Sequence, residues 1–112
     1  MGSNPGREAV SDSNAATADL AFHGRITVEN SGDMRAGLSD ALREKPSSLL
    51  VDLSDVSYMD TSGVATLVEG DRIARRQGTR LILKGLRDQP RYLFEVTHLD
   101  HFFDISAPEE KE

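Results

Sequence analysis

The sequence contains no cysteine. That excludes disulfides, thiolate metal sites and cysteine nucleophiles, and it agrees with a reducing compartment. No stretch approaches the roughly 20 apolar residues that a membrane-spanning helix requires. The opening segment, MGSNPGREAVSDSNAATAD, lacks an apolar core, so no secretory signal is expected there. A basic surplus is missing too: 13 Lys and Arg stand against 19 Asp and Glu, a net charge of −6. General nucleic-acid binders normally carry a basic surface, so that class is excluded.

What is present suits one small domain: 112 residues, 38% of them hydrophobic, enough for a single modest core. Residues 1–17 are rich in Ser, Asn, Ala and Gly without periodicity and read as a flexible tail. Residues 107–112, APEEKE, read as another, which leaves a domain over 18–106.

Within it, strand and helix patterns alternate. Ala18 to Val28 places Leu20, Phe22, Ile26 and Val28 at period two, with Gly24 interrupting as a bulge or turn. Ser31 to Lys45 is helical in pattern, with Met34, Leu38, Ala41 and Leu42 on one face. Ser31 or Asp33 is its candidate cap, and Pro46 lies beyond its end. Ser48 to Leu53 is a nearly continuous apolar run, expected of a strand buried on both faces. Thr61 or Ser62 opens a second helix carrying Val64, Leu67, Val68 and Ile73, with Arg72, Arg75 and Arg76 in its last turns and Gly78 closing it. Arg80 to Lys84 is a strand. A third helix follows, capped by Asp88, with Pro90 in its first turn and Leu93, Phe94 and Val96 on its apolar face. Phe102, Phe103 and Ile105 form a short closing segment. The alternation predicts an α/β domain with a sheet at least partly parallel.

Chemistry concentrates at Tyr58-Met59-Asp60-Thr61-Ser62-Gly63. An aspartic-protease loop would need Gly directly after Asp-Thr, and Ser62 intervenes. A serine hydrolase would need a base at Ser62 and a glycine ahead of it, which Asp60-Thr61 does not supply. His98 and His101, with Asp100 and Asp104, have a superficial metal-site spacing but fit solvated imidazoles near a helix end. Arg72, Arg75, Arg76, Arg80 and Lys84 fit a solvated face interspersed with Glu69 and Asp71, or a dock for an acidic partner. At the opening of the second helix, Asp60, Thr61 and Ser62 are all capping residues. Two hydroxyls at a positive helix end also form a site where a phosphate would be held, beside a carboxylate that repels it. Cap and switch stand level on these residues alone.

The segment Leu49–Gly63, LLVDLSDVSYMDTSG, resembles the signature of the STAS family, which spans anti-sigma-factor antagonists and cytoplasmic domains of sulfate transporters. Family members similarly run from a strand ending V-D-L into V-x-x-[ILMFY]-D-[ST]-[ST]-[GA] at a helix start. RLILKGL and YLFEVTHLDHFFDI resemble the next strand, turn, helix and closing strand, so the resemblance spans about 20–105. It implies a STAS-like mixed sheet of four to five strands with helices packed mainly on one face, in a cytoplasmic, non-enzymatic chain without cofactor or metal. It also implies that an anti-sigma factor serine kinase phosphorylates Ser62, with Thr61 the alternative. The bare form would bind that kinase and free a sigma factor, and a serine phosphatase would reset it. Asp60 would orient the hydroxyl, and Thr27, Asp60, Thr61, Ser62 and Gly63 would meet the partner. No nucleic acid and no direct membrane insertion are implied. The alternative within the family is a constitutive STAS subunit of a phospholipid-transport ABC system, a class that often keeps Asp-Thr but frequently has Gly or Ala at the Ser62 position. The sequence departs from the antagonists in three places. Gly24-Arg25-Ile26-Thr27 replaces G-E-[LI]-D; His98 stands where Gly is usual at a positive φ; and the family's first strand, sought in Val10–Thr17, is hard to find.

Overall fold

Each of the first three strands is followed by a helix, the connection that parallel pairing requires. The computed structural model describes residues 17–106. It runs β1 (Thr17–Ile26), α1 (Ser31–Arg43), β2 (Ser48–Met59), α2 (Thr61–Gln77), β3 (Arg80–Lys84), α3 (Asp88–Val96) and β4 (Asp104–Ile105). The strands lie in the order β1-β2-β3-β4, and every pairing among the described residues is parallel. The α/β class and four-strand sheet are as expected. Apart from Thr17, which was read as tail and instead opens β1, the tails of the sequence reading and the segment searched for a further strand lie outside the described residues.

β2 is longer than its apolar run suggested, reaching Met59 rather than Leu53. Its 12 residues pair with the 10 of β1, and the excess is taken up in two register shifts flanking His23 and Gly24. The first falls where Ala21 opposes Asp52 and His23 opposes Asp55. There the Asp52 carboxylate accepts both the Ser54 amide at 2.9 Å and the Ser54 hydroxyl at 2.7 Å. A side chain thus takes over an amide that the ladder would otherwise use. Each shift changes which face the strand buries: Leu49, Val51 and Leu53 face the core, and Val56 and Met59 do so beyond the bulges. This is why the sequence pattern broke at Leu53.

The core joins these residues to Leu81 and Leu83 of β3, Met34, Leu38 and Leu42 of α1, Val64, Leu67 and Ala74 of α2, and Phe94 and Phe103. Leu50, Asp52 and Ile82, alternating with the buried sheet residues, are only half-buried, so the sheet is covered chiefly on one face. α2 ends as its sequence predicts, with Gly78 in the left-handed region at φ 85° and its N–H returned to Ala74 and Arg75.

Several local expectations are corrected. α1 is preceded by Asn30, not capped by Ser31 or Asp33, and the Asn30 side chain bonds the preceding turn instead. Asp88 is the first residue of α3 rather than its cap, at φ 53°. Val96 and Ile73 are exposed, whereas Asp71, read as solvated, is buried and ion-paired with Arg75 at 2.6 Å. Helical periodicity finds the buried stripe but not its edges, which neighbouring elements decide. Val28, counted with the first strand, lies beyond its end and is 73% exposed.

Candidate functional site

The carboxyl ends of β1 and β2 stop side by side, and the chain turns from β2 directly into α2. Asp60 occupies that corner. Its backbone is extended at φ −100°, its N–H donates to the Ile26 carbonyl at 3.0 Å, and it is the N-cap of α2. One carboxylate oxygen accepts the Ser62 amide at 2.9 Å and also the Ser62 hydroxyl. The other accepts the Val28 amide at 3.1 Å, from the turn between β1 and α1. A single side chain therefore ties together two segments that lie 32 residues apart. The Ser62 hydroxyl above all holds the Asp60 carboxyl below the usual carboxylate range; burial opposes it, and the Ser62, Val28 and Gly63 amides add to the lowering.

Gly63 is required by packing. A Cβ there would stand 2.7 Å from Met59 Cγ and 3.0 Å from Ile26 Cγ2, so only glycine lets the helix start rest on the two strand ends. Ser62 is half-buried and Thr61 exposed. Thr66, one turn on, donates its hydroxyl to the Ser62 carbonyl at 2.8 Å. Thr27 anchors the adjacent turn: its hydroxyl accepts the Glu29 amide at 3.2 Å and its carbonyl accepts the Asn30 and Ser31 amides. The five residues singled out in the sequence, Thr27, Asp60, Thr61, Ser62 and Gly63, thus fall at one corner of the fold.

The other candidates scatter. Ser62 has Asp60 as hydroxyl partner rather than a histidine. His101 is largely exposed 3.8 Å from Asp100, while Asp104 pairs with Arg80. No group of three or more His, Cys, Asp or Glu among the described residues is placed to hold a metal ion. The presumed basic patch is dispersed by local bonds: Arg75 turns to Asp71 and to the Phe102 carbonyl, Arg80 to Asp104. His98 does adopt the positive φ, 61°, and its N–H bonds the Glu95 carbonyl. No helix among the described residues is long and apolar enough to cross a membrane.

Two residues at the corner escaped the sequence reading. Val28 looked like an inward strand position. Gln89 of α3 carried no signal at all, yet its amide clamps the end of β2, accepting the Met59 N–H at 2.9 Å and donating to the Met59 carbonyl at 3.0 Å.

A family profile described as "Mlab, STAS domain" matches residues 10–105. The chain belongs to the STAS family. An anti-sigma-B factor antagonist of Bacillus subtilis is 36% identical over 87 residues, which cover 78% of this STAS chain and 79% of the relative. A second protein of Bacillus subtilis, named as a sulfate transporter, is 30% identical over 90 residues, 75% of this chain but only 17% of the transporter. Among solved structures, the anti-sigma factor antagonist SpoIIAA in its unphosphorylated form superposes with a TM-score of 0.65 at 18% identity, over 85% of this chain and 83% of SpoIIAA. At that identity the likeness concerns the fold.

Proposed function

We propose that this STAS domain is an anti-sigma-factor antagonist, a binding module rather than an enzyme, switched by phosphorylation at Ser62. The observation that carries the reading is the Ser62 hydroxyl, held by Asp60 at the start of a long helix on a corner that also presents Thr61 and the Thr27 turn. The antagonist relative supports the same class, since its match spans most of both chains. In the unmodified state the corner docks on an anti-sigma serine kinase in the cytoplasm and a sigma factor is freed. The kinase then transfers the γ-phosphoryl group of ATP. An Oγ–P bond forms, the bond from the γ-phosphorus to the bridging oxygen breaks, and ADP leaves. The hydroxyl proton passes to a base on the kinase, because an Asp60 carboxyl held below its usual range is a poor proton acceptor. Its role is to orient Oγ. The added phosphate brings charge and volume to a surface that fitted a bare hydroxyl, so the complex separates. A serine phosphatase restores it. Thr61, exposed beside Ser62, is the alternative acceptor.

A second reading is a constitutive STAS subunit of a phospholipid-transport ABC system. It is favoured by the Asp60-Thr61 pair. Paired pull-downs from the native organism, with wild-type, Ser62→Ala and Ser62→Asp baits, separate the two. The antagonist reading expects an anti-sigma-type ATPase on wild type and Ser62→Ala, with Ser62→Asp weakened at least about tenfold, the scale of a misplaced interface charge. Recovery of the same ABC subunits by all three baits overturns it.

A further inference from the structure

The turn between β1 and α1 is held unusually completely. The Thr27 N–H donates to Asn30 Oδ1 at 2.8 Å, Glu29 N–H to Thr27 Oγ1, and the Asn30 and Ser31 N–H groups to the Thr27 carbonyl. Asn30 Nδ2 reaches the Arg25 carbonyl at 2.8 Å. Only the Val28 N–H leaves the turn, and its acceptor is Asp60. At the tip of this framework stands the Val28 side chain, 73% exposed. A lone exposed aliphatic residue is ordinary on a protein surface. A β-branched one on a fully bonded turn, beside a modifiable hydroxyl, is preorganised for contact: little rotamer or backbone freedom is left to lose on binding. Glu29, the next residue, and the Asp60 carboxylate on the Val28 N–H set negative charge beside it.

We propose that Val28 is an apolar anchor for a protein partner whose surface offers an apolar recess rimmed by basic side chains, and that Asp60 releases this anchor when Ser62 carries phosphate. The proposal rests on the switch reading of Ser62. A phosphoserine loses the O–H that now donates to Asp60, and it sets a charge of about −1.5 to −2 against the carboxylate. Repulsion displaces the Asp60 carboxylate, the phosphate takes over the Ser62 N–H that this carboxylate now accepts, and Val28 loses the acceptor that fixes it. The modification then acts twice, by its own charge at the interface and by loosening a contact residue on the neighbouring turn.

The test needs no kinase for its first part. The full chain is made with phosphoserine installed at position 62 during translation, and amide exchange is followed by 15N NMR. Val28 N–H exchange should quicken at least tenfold relative to Thr27, Asn30 and Ser31 in the same turn, and likewise in Asp60→Ala. Ser62→Ala should keep the wild-type rate, since the Val28–Asp60 bond does not involve the hydroxyl. An unchanged Val28 rate in the phosphoserine chain overturns the relay. In the second part, Val28→Ser should lower affinity about tenfold for the anti-sigma ATPase recovered by the wild-type bait, and equal affinity overturns the anchor. If no such ATPase is recovered, the parent reading fails and takes the anchor with it, while the exchange rates still decide the relay by themselves.

Discussion

The same short device appears twice among the described residues, and its setting gives it different work. Asp52 and Asp60 each accept the amide and the hydroxyl of the serine two residues on. At Asp52 the result is a bulge inside β2; at Asp60 it is a helix cap that also reaches across to Val28. The hydrogen bond alone is therefore no mark of a switch. Both serines are half-buried, so position at a helix start makes the difference. Gly63 shows how tightly that position is defined. Ala would gain up to about 1 kcal/mol in helix propensity, yet its Cβ would meet Met59 and Ile26 at 2.7 and 3.0 Å. Overpacking of that kind costs roughly 1–3 kcal/mol. Gly63→Ala should accordingly lower stability in urea titrations, and a variant as stable as wild type would mean that Met59 repacks freely.

At the scale of elements, the corner is built by three connections that meet from different directions. β1 supplies the Ile26 carbonyl to the Asp60 N–H, α2 supplies its first turn, and α3 supplies Gln89, which pairs with Met59 much as a neighbouring strand would. Replacing Gln89 by Ala leaves one donor and one acceptor without partners in a partly buried place. A loss of about 1–3 kcal/mol follows from the cost of unmade hydrogen bonds. Denaturant midpoints check this, and a change below about 0.5 kcal/mol would mean that water replaces the amide without penalty. Neither Gln89 nor the far reach of β2 was legible beforehand. The first has no periodic signature, and the second is hidden because two bulges break the alternation on which strand recognition depends.

For the whole molecule, the acid limb of stability follows from the two depressed carboxyls. The Ser54 hydroxyl, chiefly, lowers Asp52, and the Ser62 hydroxyl, chiefly, lowers Asp60. Groups whose folded pKa lies below the unfolded one stabilise fully above the unfolded value, and that contribution is lost as pH falls through the folded pKa. The window therefore lies below about pH 4, where free aspartate begins to protonate. Urea midpoints should fall with pH across it, and an Asp52→Asn/Asp60→Asn chain should show a shallower slope than wild type. Parallel slopes would show that other groups govern acid unfolding. Nothing in these two aspartates predicts a change between pH 6 and 8.

The sequence by itself determined the class of fold, the alternation of strands and helices, the Gly78 stop and the corner at Asp60. These follow from local causes: apolar periodicity, capping chemistry and a motif in which order and spacing agree. It also marked the positive φ at His98, which the chain adopts despite a side chain there. Only the tertiary structure decided that the Thr27 turn meets the start of α2, that Val28 faces water and that Asp71 does not. Contacts between residues 32 apart depend on strand register, and register here is set by two bulges, the first of them at a side-chain bond within β2. Whether a valine is core or anchor depends on which neighbours happen to cover it, and no local pattern carries that information.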